Sequence, residues 1–564
     1  MSTNINHGNL PDIEELQRLA NQLFKAAPYE DVPTTEFNTY DATTPPVSVA
    51  GSGISPSAIH QGNAVDLQNP QTSFADPGLT ASVQPAGYGQ GGSFAPAGLN
   101  QDSFFHLPFE QEQPFEKQLQ QILNGLFQAP TVAQLPFGVP IADPAAYYFL
   151  KDKPAATLPG FDVNFIRKDF PILSEQVNGK QLIWLDNAAT TQKPRQVIDR
   201  ISYFYEHENS NIHRAAHELA ARATDAYEGA RKKVQQFLNA GSVNEIVFVR
   251  GATEAINLVA KSWGAQYLHE GDEIIVSNLE HHANIVPWQQ LAAQKNLKIR
   301  VIPVDDDGQL LLDEYAKLLS PKTKLVAFTQ VSNALGTITP AAQIVQMAHA
   351  AGAKVLVDGA QSVSHMPVDV RALDADWFVF SGHKVFAPTG IGVLYGKEAL
   401  LNATQPWQGG GNMIKDVTFE HTTYHDAPGR FEAGTGNIAD AVGLGAAIDY
   451  VTRMGMHVIG QYEHFLLEYA TGLLKQVPGL RLIGTAPDKA SVISFVLDGY
   501  KTEEVGAELN KQGIAVRSGH HCAQPILRRF GVESTVRPSL AFYNTCAEVD
   551  VLANTLQQLS RKRK

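Results

Sequence analysis

Val379-Phe380-Ser381-Gly382-His383-Lys384 puts a lysine at the end of an apolar run, against a glycine and beside a hydroxyl and an imidazole. At the mouth of a buried sheet such an amine loses its proton more readily, because desolvation disfavours the ammonium. A neutral amine forms a Schiff base with an aldehyde. Alone, the run also fits a lysine that has reached the surface where a strand ends. Lys354-Val355-Leu356-Val357-Asp358-Gly359-Ala360-Gln361 ends a second apolar run on an aspartate, which is costly unless a cation sits opposite. A protonated pyridinium nitrogen is such a cation, and fixing its proton makes the ring an electron sink. Gln361, three residues on, can donate to a phenolic oxygen. A metal ligand is the competing reading of Asp358, and it lacks companions.

Pyridoxal 5'-phosphate (PLP) is the aldehyde that this pair suits, and its phosphate needs a site. Arg250-Gly251-Ala252-Thr253-Glu254 follows an apolar run and opens a helical stretch. Free amides and the dipole at a helix start, at Ala252 and Thr253, make an anion site to which the Thr253 hydroxyl adds a donor. Thr253 would equally serve an ordinary cap. Ser381 and His383 can also face a phosphate. In Leu279-Glu280-His281-His282-Ala283-Asn284, the His281 ring could lie flat on a pyridine and move a proton near the reacting carbon. A satisfied loop histidine fits too, and a metal ligand lacks a third partner. Cys522 lies in a loop bounded by Gly519 and Pro525, beside Arg517, His520 and His521. Positive neighbours favour the thiolate, the nucleophilic form. Cys546, at a helix start with an acidic neighbour, reads as structural.

The elements that must position these groups alternate from Phe161 onward. Residues 245–249, 273–277, 298–304, 324–329, 354–357 and 377–380 read as short apolar strands. Helical stretches lie between most of them, as over 254–263 and 344–351. The alternation predicts an α/β domain with a mainly parallel central sheet, which places ligands at the carboxyl ends of its strands.

A chain of 564 residues exceeds one ordinary core, so two or more domains are expected. Two cysteines cannot staple it, which predicts a reducing, cytoplasmic setting. No signal peptide or membrane-length apolar stretch is read, and a net charge of −13 gives no support to nucleic-acid binding. The charge is uneven: residues 1–153 hold five Lys and Arg against fifteen Asp and Glu, or −10 of the total. That region is rich in Pro, Gly, Ser, Gln, Asn and Thr, so it is read as largely disordered. Ile13, Leu16, Leu19, Ala20, Leu23 and Phe24 form one helical island within it, and Phe115, Leu119, Ile122, Leu123 and Leu126 a second. A third, Pro136 to Leu150 with Tyr147-Tyr148-Phe149, is either a docking stretch or a linker. The two amphipathic islands need something to cover their apolar faces, a partner or their own catalytic domain.

From about Phe161 to the end the chain resembles a SufS-type (group II) cysteine desulfurase of the class V aminotransferase family. The motifs that carry the likeness begin with Leu185-Asp186-Asn187-Ala188-Ala189-Thr190, Asn211-Ile212-His213-Arg214, Glu280-His281-His282-Ala283-Asn284 and Val331-Ser332-Asn333. They continue with Asp358-Gly359-Ala360-Gln361, Ser381-Gly382-His383-Lys384, Arg430-Phe431-Glu432-Ala433-Gly434-Thr435 and Arg517-Ser518-Gly519-His520-His521-Cys522. The resemblance implies a PLP-dependent transferase of fold type I. A large mixed-sheet PLP domain would span 156–430, its first residues packing with a smaller C-terminal domain over 431–564. It implies a homodimer, with L-cysteine as substrate.

By the same resemblance Lys384 carries the Schiff base, His281 stacks on PLP, Asp358 faces the pyridinium and Gln361 the phenolate oxygen. Thr253, Ser381 and His383, at the site opened by Ala252, bind the phosphate, and Thr435 joins from the other subunit. Arg537 holds the substrate carboxylate with Asn187 and Asn333, Arg517 and His213 belong to the substrate site, and Cys522 accepts the sulfur. Cysteine's Cβ–S bond would be activated on the cofactor, Cys522 would take the sulfur as a persulfide, alanine would leave, and another protein or small thiol would receive it. The short stretch around Cys522 implies a dedicated acceptor. Three departures stand out: Ala252 for the family's usual Thr, Gly436 for Pro, and Pro538 for Ala, where a fixed φ could shift Arg537.

The extension, residues 1–155, resembles in composition those of desulfurases packaged in encapsulin shells, and is read as a cargo-loading segment. Selenocysteine lysis and transamination are the rival reactions on the same cofactor. A dimeric scaffold with little activity is the rival from another class, opposed by the complete set of chemical residues.

Overall fold

The computed structural model describes residues 161–212 and 217–562. The three islands of the extension and His213 lie outside them. Six strands of the central sheet are the apolar runs expected from sequence: β1 Ile246–Val249, β2 Glu273–Ser277, β3 Lys298–Ile302, β4 Thr323–Thr329, β5 Lys354–Asp358 and β6 Trp377–Ser381. A seventh, β7 Gly392–Gly396, joins them. The order is β1-β7-β6-β5-β4-β2-β3. The strands from β6 to β3 run parallel, and β7 runs antiparallel to both β6 and β1. The sheet is therefore mixed. A parallel return needs a crossover of a dozen or more residues, and the short stretch between Ser381 and Gly392 cannot supply one. Gly392 is required where β7 meets the loop after β1, since a Cβ there would lie 2.5 Å from the Gly251 Cα.

Every residue of β1, β2, β6 and β7 is buried, as expected for strands covered on both faces; only the edge strand β3 is largely exposed. The covering helices include α1 Arg195–His207, α2 Glu218–Phe237, α3 Ala252–Val259 and α4 Ile438–Met454, with α4 packed on α1 and α2. The helix expected over 254–263 starts at Ala252 and widens into a π-turn at Ala260–Gly264. There Trp263 meets Trp377 edge-on at 5.0 Å, and a Cβ on Gly264 would lie 2.6 Å from Leu291. The wider turn accommodates tight packing.

A second apolar core follows in the chain. Helices α5 Met456–Leu474 and α6 Cys546–Arg561 pack together beside a four-stranded antiparallel sheet. Its strands are β8 Leu480–Ile483, β9 Ser494–Leu497, β10 Arg517–Gly519 and β11 Thr535–Arg537, in the order β8-β9-β11-β10. Leu466, Leu474, Phe495, Val536 and Leu552 share this core with Ile183 and Leu185. The early residues Ile183–Trp184 pair in parallel with Ile514–Ala515, so the start of the described chain is tied to its end.

Candidate active site

The carboxyl ends of β5 and β6 and the loop after β10 converge on one cleft of about 490 Å³. Thr253, His281, Asp358, Gln361, Lys384 and Cys522 are among the residues that line it, with Ala252, Asn333, Ser381, His383, Arg517 and Arg537. Sequence reasoning put these residues, Arg537 apart, on six separate motifs; topology brings them together, because parallel strands end on the same side.

Lys384 closes the short turn Gly382–Lys384 immediately after β6. Burial pulls its amine down to about 8, with Asp358 and Cys522 opposing the fall and Arg537 adding to it. Asp358 ends β5 at 4% exposure, and its carboxylate accepts one hydrogen bond, from the Ala360 N–H at 2.9 Å. Burial pushes the Asp358 carboxyl up, against the Ala360 N–H and Lys384. Lys384 acts on it from a distance, and among the described residues no ion pair is made with it. Gly359 is demanded by the Phe378 ring, which a Cβ there would meet at 1.9 Å. Gln361 is buried and donates to the Ala188 carbonyl at 2.7 Å, tying the β5 loop to the opposite wall.

His281 caps a short turn, its Nδ1 accepting from the Ala283 N–H at 3.0 Å. That acceptor role puts the ring proton on Nε2. Burial, reinforced by Lys384, pulls His281 down to about 3, so the ring is neutral at neutral pH. The residue before it is one that sequence reasoning quoted without giving a task. Glu280 is fully buried and accepts from the Ser277 hydroxyl, from the Asn284 amide at 2.7 Å and from the Thr329 N–H at 3.0 Å. Burial pushes Glu280 up to about 8, and these three donors support the ionised form against that penalty.

At the α3 start the Ala252 N–H donates to Ser381 Oγ at 2.9 Å, and Thr253 is exposed beside it. Gly251 fits this corner because a Cβ there would lie 3.1 Å from Ser381 Oγ. His383 is pulled down to about 4 by burial, then by Lys384 and Lys193.

The opposite wall carries cations and the thiol. Arg537, 2% exposed, donates to the Asn333 carbonyl at 2.7 Å and pairs with Asp186 at 3.4 Å. Its Nε has no hydrogen-bond partner among the described residues. Burial pulls Arg537 down to about 10, with Asp186 opposing. Pro538 directly follows the end of β11, whose register with β10 holds through Arg537 opposite Arg517. Arg517 is more exposed and lies 3.9 Å from Asp186. Asn333 donates to the His521 carbonyl at 2.7 Å.

Cys522 is exposed, and both it and His521 have φ of +53°. The Cys522 N–H donates to His520 Nδ1 at 3.0 Å, and its carbonyl accepts from the His282 N–H at 2.8 Å. The thiol loop is thereby fastened to the His281 loop. His521 was expected as one of the positive neighbours of Cys522; it is instead buried, bonded to Thr535 at 2.8 Å, and pulled down to about 2 by burial, so its ring is neutral and brings no positive charge to the thiol.

Two residues named for the site do not line this cleft, and one of them, Thr435, was expected from the other subunit. Asn187 is buried with its amide given to Ser539 at 2.7 Å and Asn544 at 3.1 Å, while its oxygen accepts from the Tyr543 hydroxyl. It braces the Ala188–Ala189 wall from behind. Thr435 lines a separate cavity of about 530 Å³ with Arg250, Glu254 and Gly436. His213 falls outside the described residues. Among those residues no metal-holding cluster occurs and no helix is long and apolar enough to cross a membrane.

The donor set fits PLP: a depressed lysine for the aldehyde, a buried aspartate for the ring nitrogen, and a helix start with Ser381 and Thr253 for the phosphate. The family model Aminotransferase class-V matches residues 183–552. A cysteine desulfurase of Synechococcus elongatus is 70% identical over 400 residues, 71% of this chain; the match spans only 64% of that relative's length. One from Escherichia coli O127:H6 is 52% identical over 402 residues, 71% of this chain and 99% of the relative. The solved cysteine desulfurase CsdA (S-sulfonic acid) from Escherichia coli superposes with a TM-score of 0.67 at 39% identity, covering 72% of this chain and all of that one.

Proposed function

The chain belongs to the aminotransferase class-V family, and from that membership we propose that it is a PLP-dependent cysteine desulfurase, converting L-cysteine to L-alanine and leaving the sulfur as a persulfide on Cys522. The observation that carries this is that Lys384, Asp358, Arg537 and Cys522 line one cleft.

When bound, PLP supplies an electrophilic carbon and a ring that takes up electron density. Lys384 would hold its aldehyde, Asp358 would keep the proton on its ring nitrogen, Gln361 would serve its phenolic oxygen, and His281 would pack against it. Ala252, Thr253, Ser381 and His383 hold its phosphate, with Thr435 supplied by the second subunit of a homodimer. Arg537, desolvated and with a spare N–H, binds the substrate carboxylate. Asn333 aligns Arg537 through its carbonyl, Arg517 adds a cation at the mouth, and Asn187 acts from behind the wall.

With its pKa near 8, Lys384 Nζ is neutral often enough to take the substrate's Cα proton. Cys522, as thiolate, attacks the substrate sulfur. The new S–S bond forms as the Cβ–S bond breaks, the electron pair leaves with the carbon skeleton, and protonation completes alanine. Exchange with an acceptor thiol then clears Cys522.

In this reading residues 156–430 bind the cofactor and 431–564 carry sulfur transfer. The short Cys522 loop supports a SufS-type enzyme with a dedicated acceptor, and iron–sulfur cluster assembly is a destination consistent with it. Residues 1–155 load the cytoplasmic enzyme into an encapsulin shell; equal loading with and without them sinks that part. The main test is alanine and sulfide release from L-cysteine, with and without reductant. A Cys522→Ala protein turning over cysteine at the wild-type rate would overturn the assignment.

A further inference from the structure

One face of α5 is aromatic at the surface. Phe465 is 39% exposed, and its ring lies 6.4 Å from that of Tyr462 and 6.5 Å from that of Tyr469. Phe161 extends the row, its ring 4.5 Å from Tyr462. Beyond Tyr469, whose hydroxyl donates to Asp550 at 2.6 Å, Val551 of α6 is 41% exposed. Single exposed apolar residues are ordinary. A continuous row along two turns of a surface helix is a template for another apolar segment.

The row begins where the chain enters the described structure. Phe161 is its first member, and 160 residues precede it. The nearest upstream apolar island is Tyr147-Tyr148-Phe149, separated from Phe161 by residues 150–160. A random-coil chain of eleven residues has a root-mean-square span of roughly 17–20 Å. The Tyr462–Tyr469 row is only about 10 Å long on a helix. The island reaches it without strain. A tether this short also holds the island at about millimolar effective concentration, an advantage over any partner binding from solution. The stretch just after the island, Lys151-Asp152-Lys153, carries a net charge of +1, and the exposed Glu468 and half-buried Asp550 rim the row.

We propose that Tyr147-Tyr148-Phe149 docks on the aromatic row of Phe161, Tyr462, Phe465 and Tyr469, anchoring the extension to the body beside α5 and α6. The stretch from Pro136 to Leu150 is then a clasp, and the region upstream of it is what remains free to engage a partner. This stands apart from the desulfurase assignment, since none of these residues lines the cleft.

The test uses the full-length holoenzyme. Hydrogen exchange of residues 145–160 is compared between wild type, Phe465→Asp, and the tail variant Tyr147→Ser/Phe149→Ser, and chymotryptic cleavage after Tyr147–Phe149 between wild type and Phe465→Asp. Docking predicts exchange of the unaltered residues 151–160 about tenfold faster in both variants, and faster cleavage in Phe465→Asp, with desulfurase activity unchanged. The tail variant changes no residue of the body, so it keeps the test decisive if Phe465→Asp folds poorly. Equal exchange in wild type and tail variant overturns the proposal. So does a Phe465→Asp protein that loses a subunit contact while residues 151–160 exchange as before, which would assign the row to a second copy of the chain.

Discussion

Asp358 and Cys522 face the same cleft from structures of opposite kinds. Asp358 ends a strand paired on both sides, is 4% exposed, and is followed by a glycine on which a ring presses. Cys522 is exposed in a loop with two successive residues at positive φ, held by hydrogen bonds to two of its backbone carbonyls, from the His282 N–H to Cys522 and from the Asn333 amide to His521, and by the His521–Thr535 bond. The cofactor wall is fixed because a bound ring must be held in one electrostatic setting throughout turnover. The sulfur wall is open because its thiol must meet a substrate on one side and an acceptor on the other. Local opening concentrates where few buried contacts hold the chain.

Substituting one residue from each wall breaks the comparison most sharply. Lys384→Ala and Cys522→Ala should each slow alanine formation from cysteine by on the order of 10²–10⁴-fold, the range for losing an acid–base group or more. Their cofactor signatures should differ: the visible band of the bound cofactor is altered in Lys384→Ala and intact in Cys522→Ala. An absorbance spectrum of each purified protein decides it. A changed band in Cys522→Ala would mean that the two walls are not independent. Within the fixed wall, Asp358→Asn should cost roughly 10²–10³-fold in turnover, as loss of a preorganised charge does. It should also weaken cofactor retention, measured by dialysis and reloading of the apoprotein.

The pH dependence of cofactor capture sharpens the same point. On the proposed role of Lys384, capture requires its neutral amine, which is lowered from 10.5 to about 8. Below that value the neutral fraction rises about tenfold per pH unit, from about 1% at pH 6 to half at pH 8, and then levels off. The rate at which apoprotein takes up PLP should follow this rise and plateau, with an apparent midpoint near 8. A midpoint near the ordinary lysine value would mean that the fixed wall does not desolvate its amine. Asp358→Asn removes a negative charge that favours the ammonium, so it should move the midpoint lower still.

The fixed wall was also the more legible one. Apolar runs ending on Asp358 and on Ser381–Lys384 carry their own explanation, since a charged residue closing a buried strand needs a partner. The strand β7 escaped notice because Gly392-Val393-Leu394-Tyr395-Gly396 is bounded by glycines and follows β6 too closely for a parallel return. Asn187 was placed by likeness of motif, and motif likeness carries no direction: it sits in the right loop with its amide turned to Ser539 and Asn544. Glu280 and Asp186 could not be weighed from sequence, because their partners Thr329 and Arg537 are distant in the chain. Two of the donors to Glu280, Ser277 and Asn284, are local, but the third and the burial that makes them matter come from elsewhere in the chain.

His282 offers the finest test of how the open wall is held. Its backbone N–H donates to the Cys522 carbonyl, a bond that survives any side-chain change. Its ring adds a stack on His520 at 5.7 Å and accepts from the Gln524 N–H at 3.4 Å, both weak contacts on a partly exposed group. If the backbone bond does most of the fastening, His282→Ala should change the rate of Cys522 alkylation by a small reagent only about two- to fivefold, with turnover of cysteine reduced no more than that. A change of a hundredfold would show instead that the thiol loop is held by side chains. The contrast between a wall built by strands and one built by a few backbone bonds would then have to be redrawn around the paired rings of His282 and His520.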